Sequence, residues 1–423
     1  VTGGIGRPAA ASTGTEGESV ADFGADVRRW LGELGFRRAD QTKDSPEWAD
    51  DTPEFIANAR AFQRAAFDGG FAGLSWPTEY GGHAMPVVYE LIYQQELLAY
   101  ELPTRPFVRG FGMCGPTILA AGTEEQKRQL IPRLLRGEDI WAQLFSEPEA
   151  GSDLANLRTR ASSEGDGWRI SGEKVWSSGA AYADRALLLA RTDASRPKHR
   201  GLTMFVVDMR APGIEVRPIR QITGSAKFAQ VFFNDVSIPD SNRIGELNDG
   251  WRCAHGTLES ERFAVSGRRS SQRGGTAAQL VNHAVNSGLA GDAVVRDRIA
   301  DVITREWVLD RVSDELIGRR LDGMSSGANG SVLKLLTSQL LRITSALGMD
   351  LAGSGAMAWA SDDPSAGRWS LNACGTVGLL SGAGTDDVLR NVIAERILHL
   401  PRDRSPDTDV PFHEAKTGRA QIS

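Results

Sequence analysis

Trp141-Ala-Gln-Leu-Phe-Ser-Glu-Pro-Glu-Ala-Gly-Ser-Asp153, followed by Lys174-Val-Trp-Ser-Ser-Gly179, is the part of this chain whose reading decides the fold. Taken alone, Ser146 to Asp153 is a polar connection carrying Pro148 and Gly151, residues that punctuate regular structure. Its position gives it weight, because helical periodicity ends and strand alternation begins around it. The second stretch returns after a hairpin-length interval and sets Trp176 beside the Ser177-Ser178 pair.

Upstream, from about Ala21 to Gly137, the pattern is mostly helical. Thr123-Glu-Glu-Gln126 has the form of a capping box, in which the Thr hydroxyl accepts from a backbone amide and Gln126 reaches back. The run from Gln129 that follows ends on Gly137, and Gly73-Leu-Ser-Trp-Pro-Thr-Glu-Tyr-Gly-Gly82 is a turn-rich loop. From about Glu138 to Leu247 the pattern is that of strands. Asp166-Gly167 is placed as a hairpin turn, and segments 186–190, 202–207 and 230–238 are strand candidates separated by turns such as Ala211-Pro-Gly213. From about Trp251 to Leu400 the chain is helical again. Leu333, Leu336, Leu340, Ile343 and Leu347 recur at spacings of three and four and share one helix face. Thr385 followed by Asp386 and Asp387 is a helix start with acids at the positive end of the dipole, and Leu389, Val392, Ile393 and Ile397 continue as an apolar stripe.

The bulk properties agree with a multidomain α+β protein. A chain of 423 residues exceeds one ordinary core. Hydrophobic content of 41% and charged content of 24% fit a globular protein, and a net charge of −6 argues against nucleic acid as a partner. No apolar run reaches the length of a membrane span. Cys114, Cys253 and Cys374 are scattered and odd in number, as expected of reduced thiols in the cytoplasm. None of the six histidines has metal-ligand spacing. Residues 1–20 lack the charged and apolar regions of a signal peptide and are expected to be a disordered leader. The polar tail after Leu400, 403–423, is expected to be loose.

The two opening stretches resemble the flavin-binding signatures of the acyl-CoA dehydrogenase family. The Gly73–Gly82 loop, Gly122-Thr-Glu-Glu-Gln126 and the ending Leu389-Arg-Asn-Val-Ile-Ala-Glu-Arg-Ile-Leu398 are also typical of it, so the resemblance covers about residues 25–402. It implies an N-terminal helical domain (21–137), a middle β-barrel (138–247) and a C-terminal four-helix bundle (248–402), with FAD between barrel and bundle. By resemblance, Gln143, Leu144, Phe145 and Ser146 line the pyrimidine edge of FAD, where donors stabilise charge on the reduced ring. Trp176 packs against the isoalloxazine, and Ser177 and Ser178 approach its N5 edge. Gly151 and Ser152 contact the CoA part of the substrate. Thr385 and Asp387 sit near the flavin where the last helix begins. An Arg-Lys-Thr-Phe-Gly-like stretch that many members use for the FAD pyrophosphate is absent, and 291–300 stands in its place.

The family's reaction is α,β-dehydrogenation of an acyl-CoA. A carboxylate in a dry pocket takes the α-proton and hydride passes from the β-carbon to flavin N5. In much of the family that base precedes the Gly-Thr of the last helix start, but here Ser381-Gly-Ala-Gly-Thr385 puts Ala383 there. A second family location is the first long helix of the C-terminal domain, which here contains Leu258-Glu-Ser-Glu-Arg-Phe263. The match places Glu261 as base and Arg262 at a substrate-binding position. Glu259, about 200° around the helix, cannot share its face. The other readings are that Glu259 and Glu261 are solvated helix acids, that the chain is a catalytically silent subunit of a heteromeric assembly, and that it is a flavin oxidase or monooxygenase on the same fold. The resemblance also implies a homo- or hetero-oligomer, a dimer or tetramer, reoxidised by an electron-transferring flavoprotein. The basic stretch from Arg268 to Arg273 is read as a solvated face, with CoA phosphates or a neighbouring subunit as the alternative.

Overall fold

The structure is a computed structural model that describes residues 16–36, 51–266, 275–324, 327–358, 367–402 and 407–415, without the side chains of 16–19 and 262–266. Most of the expected leader, the basic stretch from Arg268 to Arg273 and the side chain of Arg262 therefore lie outside the described residues. The first part of the chain is helical: α1 (Glu16–Glu33), α2 (Pro53–Asp68), α3 (Val87–Leu97), α4 (Gly115–Ala121) and α5 (Glu124–Leu135). The predicted capping box starts α5, with Thr123 Oγ1 accepting from Gln126 N–H at 3.2 Å and Gln126 Oε1 accepting from Thr123 N–H at 2.9 Å. A π-helical turn, Gly110–Cys114, runs directly into α4. Such turns recur next to functional sites because they redirect side chains out of the α register.

Eight strands follow: β1 (Trp141–Leu144), β2 (Arg160–Glu164), β3 (Gly167–Ser178), β4 (Arg185–Arg191), β5 (Leu202–Asp208), β6 (Ile214–Ile219), β7 (Phe228–Pro239) and β8 (Arg243–Ile244). They pair in the order β6-β7-β3-β2-β4-β5-β8, with β1 parallel to β4. Both faces of β4 and β5 are buried, and their side chains alternate between two cores as the strand period requires. Leu187, Leu189, Met204 and Val206 pack toward the N-terminal helices with Trp76, Ile118, Leu134 and Leu135. Leu188, Ala190, Phe205 and Val207 pack on the other side with Val231 and Phe233. One strand pair thus fastens the helical part to the sheet.

The remaining helices are α6 (Gly250–Ser266), α7 (Ala277–Asn286), α8 (Ala293–Leu321), α9 (Asn329–Ala352), α10 (Arg368–Ser381) and α11 (Asp386–Arg396). α9 lies at their centre and touches α6, α7, α8, α10 and α11. Its predicted face holds: Leu333, Leu340 and Leu347 are buried, and Leu336 and Ile343 are half-buried. No described helix is long and apolar enough to cross a membrane.

Three expectations need correction. The hairpin turn is Gly165-Asp166, not Asp166-Gly167. Gly165 takes the positive φ of 61°, whereas Gly167 already pairs with Pro239, and a Cβ there would meet Ile238 O at 2.6 Å. β6 went unread because it is an edge strand with Pro218 inside it and no fully buried residue. The tail is not loose throughout. Phe412 N–H donates to Arg196 O at 2.9 Å, and its ring lies under the Arg191 guanidinium at 3.5 Å, which holds 411–414 on the β domain.

Candidate active site

The Ser146–Asp153 loop is held from inside by charge. Burial would push the Glu147 carboxyl up, but the Lys174 ammonium and the hydrogen bonds it receives hold it below its ordinary value. Glu147 Oε1 accepts from Lys174 Nζ at 2.7 Å and from Thr159 N–H at 2.9 Å, and Oε2 accepts from Arg158 N–H at 2.6 Å. Lys174 Nζ also donates to Phe145 O at 3.0 Å. The Lys174 side chain is fully buried, and burial pulls its pKa down to about 8 against the Glu147 charge. Arg191 closes the far end by donating to Ala155 O at 2.6 Å and Leu157 O at 3.1 Å. A polar stretch that could wander in solvent is therefore fixed on three buried charged side chains.

β3 presents the second stretch. Its register with β7 slips between Lys174 and Ser177, and in that bulge Trp176 takes a φ of 59°. The strand is turned so that the Trp176 ring is 57% exposed, edge-on to Phe228 at 6.0 Å. Ser177 points inward, 2% exposed, and its hydroxyl finds no hydrogen-bond partner. Ser178 is half-buried beside Phe228. The two stretches meet where Val175 N–H donates to Ser146 O at 2.9 Å.

Leu144 and Phe145 are buried, so only their backbones are open to a ligand, whereas Gln143 and Ser146 are half-buried. Gly151 and Ser152 are exposed at the rim, where Asp153 pairs with Lys198 at 2.8 Å. Gln143 connects the sheet to α6, with Nε2 3.5 Å from Glu261 Oε2. Glu259 turns elsewhere. It faces His255 at 3.6 Å and Arg396 at 4.0 Å, in a surface cavity of about 740 Å³ that His199, Trp251 and Arg252 also line. The predicted division of the two acids between helix faces thus holds.

At the start of α11, Ala383 and Gly384 take φ values of 56° and 97°, and Thr385 caps the helix, its Oγ1 accepting from Val388 N–H at 3.3 Å. Asp387 is exposed and paired with Arg390 at 2.9 Å. Asp386 keeps one buried carboxylate oxygen with no hydrogen-bond partner. The open Trp176 face, with half-buried Ser146 and Ser178 near it, fits a flat polar ligand laid against β3.

Sequence reasoning missed several groups. Lys174, Glu147 and Arg191 read as surface charges until their burial is seen. Cys114, at the end of the π turn, is fully buried, and burial pushes its thiol up to about 12, with Glu261 adding to that push and Arg109 opposing it. Thr117 and Thr257 join α4 to α6 through hydroxyls 2.8 Å apart. Lys334 is a buried cation on α9, and its only signal was a lone charge inside an apolar stripe.

Comparison with known proteins agrees with this architecture. Family models described as the N-terminal, middle and C-terminal domains of acyl-CoA dehydrogenase match residues 22–138, 142–236 and 248–398. Acyl-CoA dehydrogenase IpdE1 of Mycobacterium tuberculosis is 32% identical over 91% of this chain and 99% of its own length. Acyl-CoA dehydrogenase FadE34 of the same organism is 37% identical over 89% of this chain, which spans about half (51%) of that relative. Among solved structures, the Tcur3481-Tcur3483 steroid ACAD superposes with a TM-score of 0.74 at 25% identity, covering 92% of this chain and 99% of that one. The ChsE4-ChsE5 complex from M. tuberculosis does so at 0.72 and 26%, covering 93% and 100%.

Proposed function

Because this chain belongs to the acyl-CoA dehydrogenase family, we propose that it removes hydrogen from the α- and β-carbons of an acyl-CoA thioester, with Glu261 as the base. The observation that carries this reading is the 3.5 Å approach of Gln143 Nε2 to Glu261 Oε2. It sets a carboxylate beside the strand that leads into the flavin signature, while Ala383, at the family's usual base position, offers no proton acceptor. Bound FAD would supply the hydride acceptor for the β-carbon.

The chain's own groups do the rest. Gln143 orients the Glu261 carboxylate with its amide, so that one oxygen is left to meet the α-proton. The backbones of Leu144 and Phe145, with the Ser146 hydroxyl, offer donors to the pyrimidine edge of the cofactor. Trp176, whose ring is exposed, would pack against the bound flavin and exclude water there. Ser177, through its backbone, and Ser178 would hold the reactive edge of the flavin, and Thr385 with the backbone at Asp387 would bound the cofactor from α11. Gly151 and Ser152 take the CoA portion of the substrate at the rim, and Arg262 is assigned to substrate binding by its place in the motif.

A second reading is favoured by a specific observation. Two of the similar solved structures are named as pairs of chains, and this chain has Ala at the usual base position. In that reading it is the silent partner of a heteromeric dehydrogenase. The first of those pairs is described as a steroid ACAD, which puts bulky polycyclic acyl groups in the panel beside linear and branched ones. The test is an anaerobic titration of the purified chain with that panel. Loss of the flavin band near about 450 nm with this chain alone supports the first reading. Reduction that appears only on co-expression with a second subunit supports the other.

A further inference from the structure

Lys334 is 4% exposed and stands between Leu333 and Leu336 on the central helix, where an unpaired ammonium would be costly. It donates to Ser338 Oγ at 2.8 Å and to the carbonyls of Leu379 and Leu380 at 3.1 and 3.4 Å. Those carbonyls belong to the last turn of α10, where backbone acceptors lack helical partners and the dipole is negative. Immediately beyond lies the elbow to α11, in which Ala383 and Gly384 both hold positive φ before Thr385 caps the next helix. A cation on α9 therefore ties down the end of α10 from which the elbow departs.

The same ammonium lies within the field of two carboxylates. Burial pulls the Lys334 pKa down, and Asp386 from α11 and Glu261 from α6 hold it up. Asp386 has a buried carboxylate oxygen without a hydrogen-bond partner, so its charge needs a nearby cation. Among the described residues, Glu261 also acts on Cys114, at the end of the π turn, and Arg109 acts on the same thiol. Lys334 is thus a buried cation on α9 that touches the end of α10 and is coupled by charge to Asp386 and to the proposed base.

We propose that Lys334 is a positioning residue: it fixes the α10–α11 elbow against α9 and supplies the positive charge that Glu261 and Asp386 share. The kinetic part of this claim rests on the reading of Glu261 as base; the structural coupling does not. Lys334→Gln separates the two roles, because it keeps hydrogen-bond donors for the α10 carbonyls and removes the charge. Lys334→Arg restores the charge.

The experiment uses the purified holoprotein and a double-mutant cycle in the urea midpoint with Lys334→Gln and Glu261→Gln. Lys334→Gln is expected to lower the midpoint, and adding Glu261→Gln to recover part of the loss, since the carboxylate no longer faces a site without its cation. Strictly additive midpoints would overturn the shared charge. In flavin reduction by an acyl-CoA, the acid limb of the pH profile is expected to move up by about one unit in Lys334→Gln, because a lost neighbouring cation makes the carboxylate harder to ionise, and to return in Lys334→Arg. An unmoved limb would overturn the kinetic part. If no thioester reduces the parent protein, the functional reading fails, and the midpoint cycle still decides the case for Lys334. Should Lys334→Gln not fold, Lys334→Met combined with Glu261→Gln takes its place, and the cycle is run against Asp386→Asn.

Discussion

Glu147 and Lys174 illustrate how single residues set the site. Removing one partner of a buried pair strands the other charge, so Glu147→Gln is expected to destabilise the protein by about 3 kcal/mol. Glu147→Gln with Lys174→Met should recover much of that loss, which chemical denaturation of the three variants can measure. The acid dependence follows from the same geometry. The Glu147 carboxyl is held below its ordinary value of 4.5 in the folded protein. Its contribution is therefore complete above that pH and is lost as pH falls through the lower folded value. The slope of the unfolding midpoint below about pH 4.5 should be shallower in the double variant. At this scale the sequence was partly legible. Ala383 could be recognised as a missing carboxylate, and Glu261 could be separated from Glu259 by helix geometry. The burial of Lys174, Glu147, Arg191 and Lys334 could not, because a charged residue is interior only when partners distant in sequence arrive to meet it.

Among the elements, β3 carries the clearest trade between regularity and function. Its bulge forces Trp176 into left-handed backbone, a conformation that costs a bulky residue about 1–2 kcal/mol. Little burial offsets this, since the ring is mostly exposed. Trp176→Gly should therefore leave the melting temperature unchanged or slightly raised while weakening FAD retention, as read by flavin-to-protein absorbance after gel filtration. A marked fall in melting temperature of the flavin-free protein would mean that the ring serves packing instead. Helix starts were readable because caps are local: Thr123 and Thr385 both do what their neighbours indicate. The hairpin turn slipped by one residue because two glycines flank Asp166, and only pairing with Pro239 shows which one belongs to the strand. β6, with Pro218 and no buried face, gave too little periodicity to be seen.

For the whole molecule, the order of helical, strand and helical segments follows from hydrophobic periodicity alone, whereas the approach of β1 and β3 to each other and of Gln143 on β1 to Glu261 on α6 does not. That meeting depends on β4 and β5 having two buried faces, which joins the sheet to the N-terminal helices. The C-terminal helices leave apolar side chains uncovered in the single chain: Ile303 and Trp307 lie one turn apart on α8, and Val377 lies on α10. Assembly through these helices is expected, and Trp307→Glu should lower the mass measured by light scattering without changing the far-ultraviolet spectrum.

The central claim is that this chain performs the dehydrogenation itself, through Glu261. Its most direct test compares the purified parent and Glu261→Gln, both loaded with FAD, in anaerobic stopped-flow mixing with the acyl-CoA that best reduces the parent. Rapid bleaching is expected in the parent and, in the variant, retained flavin with reduction slowed by about a thousandfold or more, the scale expected when a general base is removed. Reduction of Glu261→Gln at the parent's rate would contradict it.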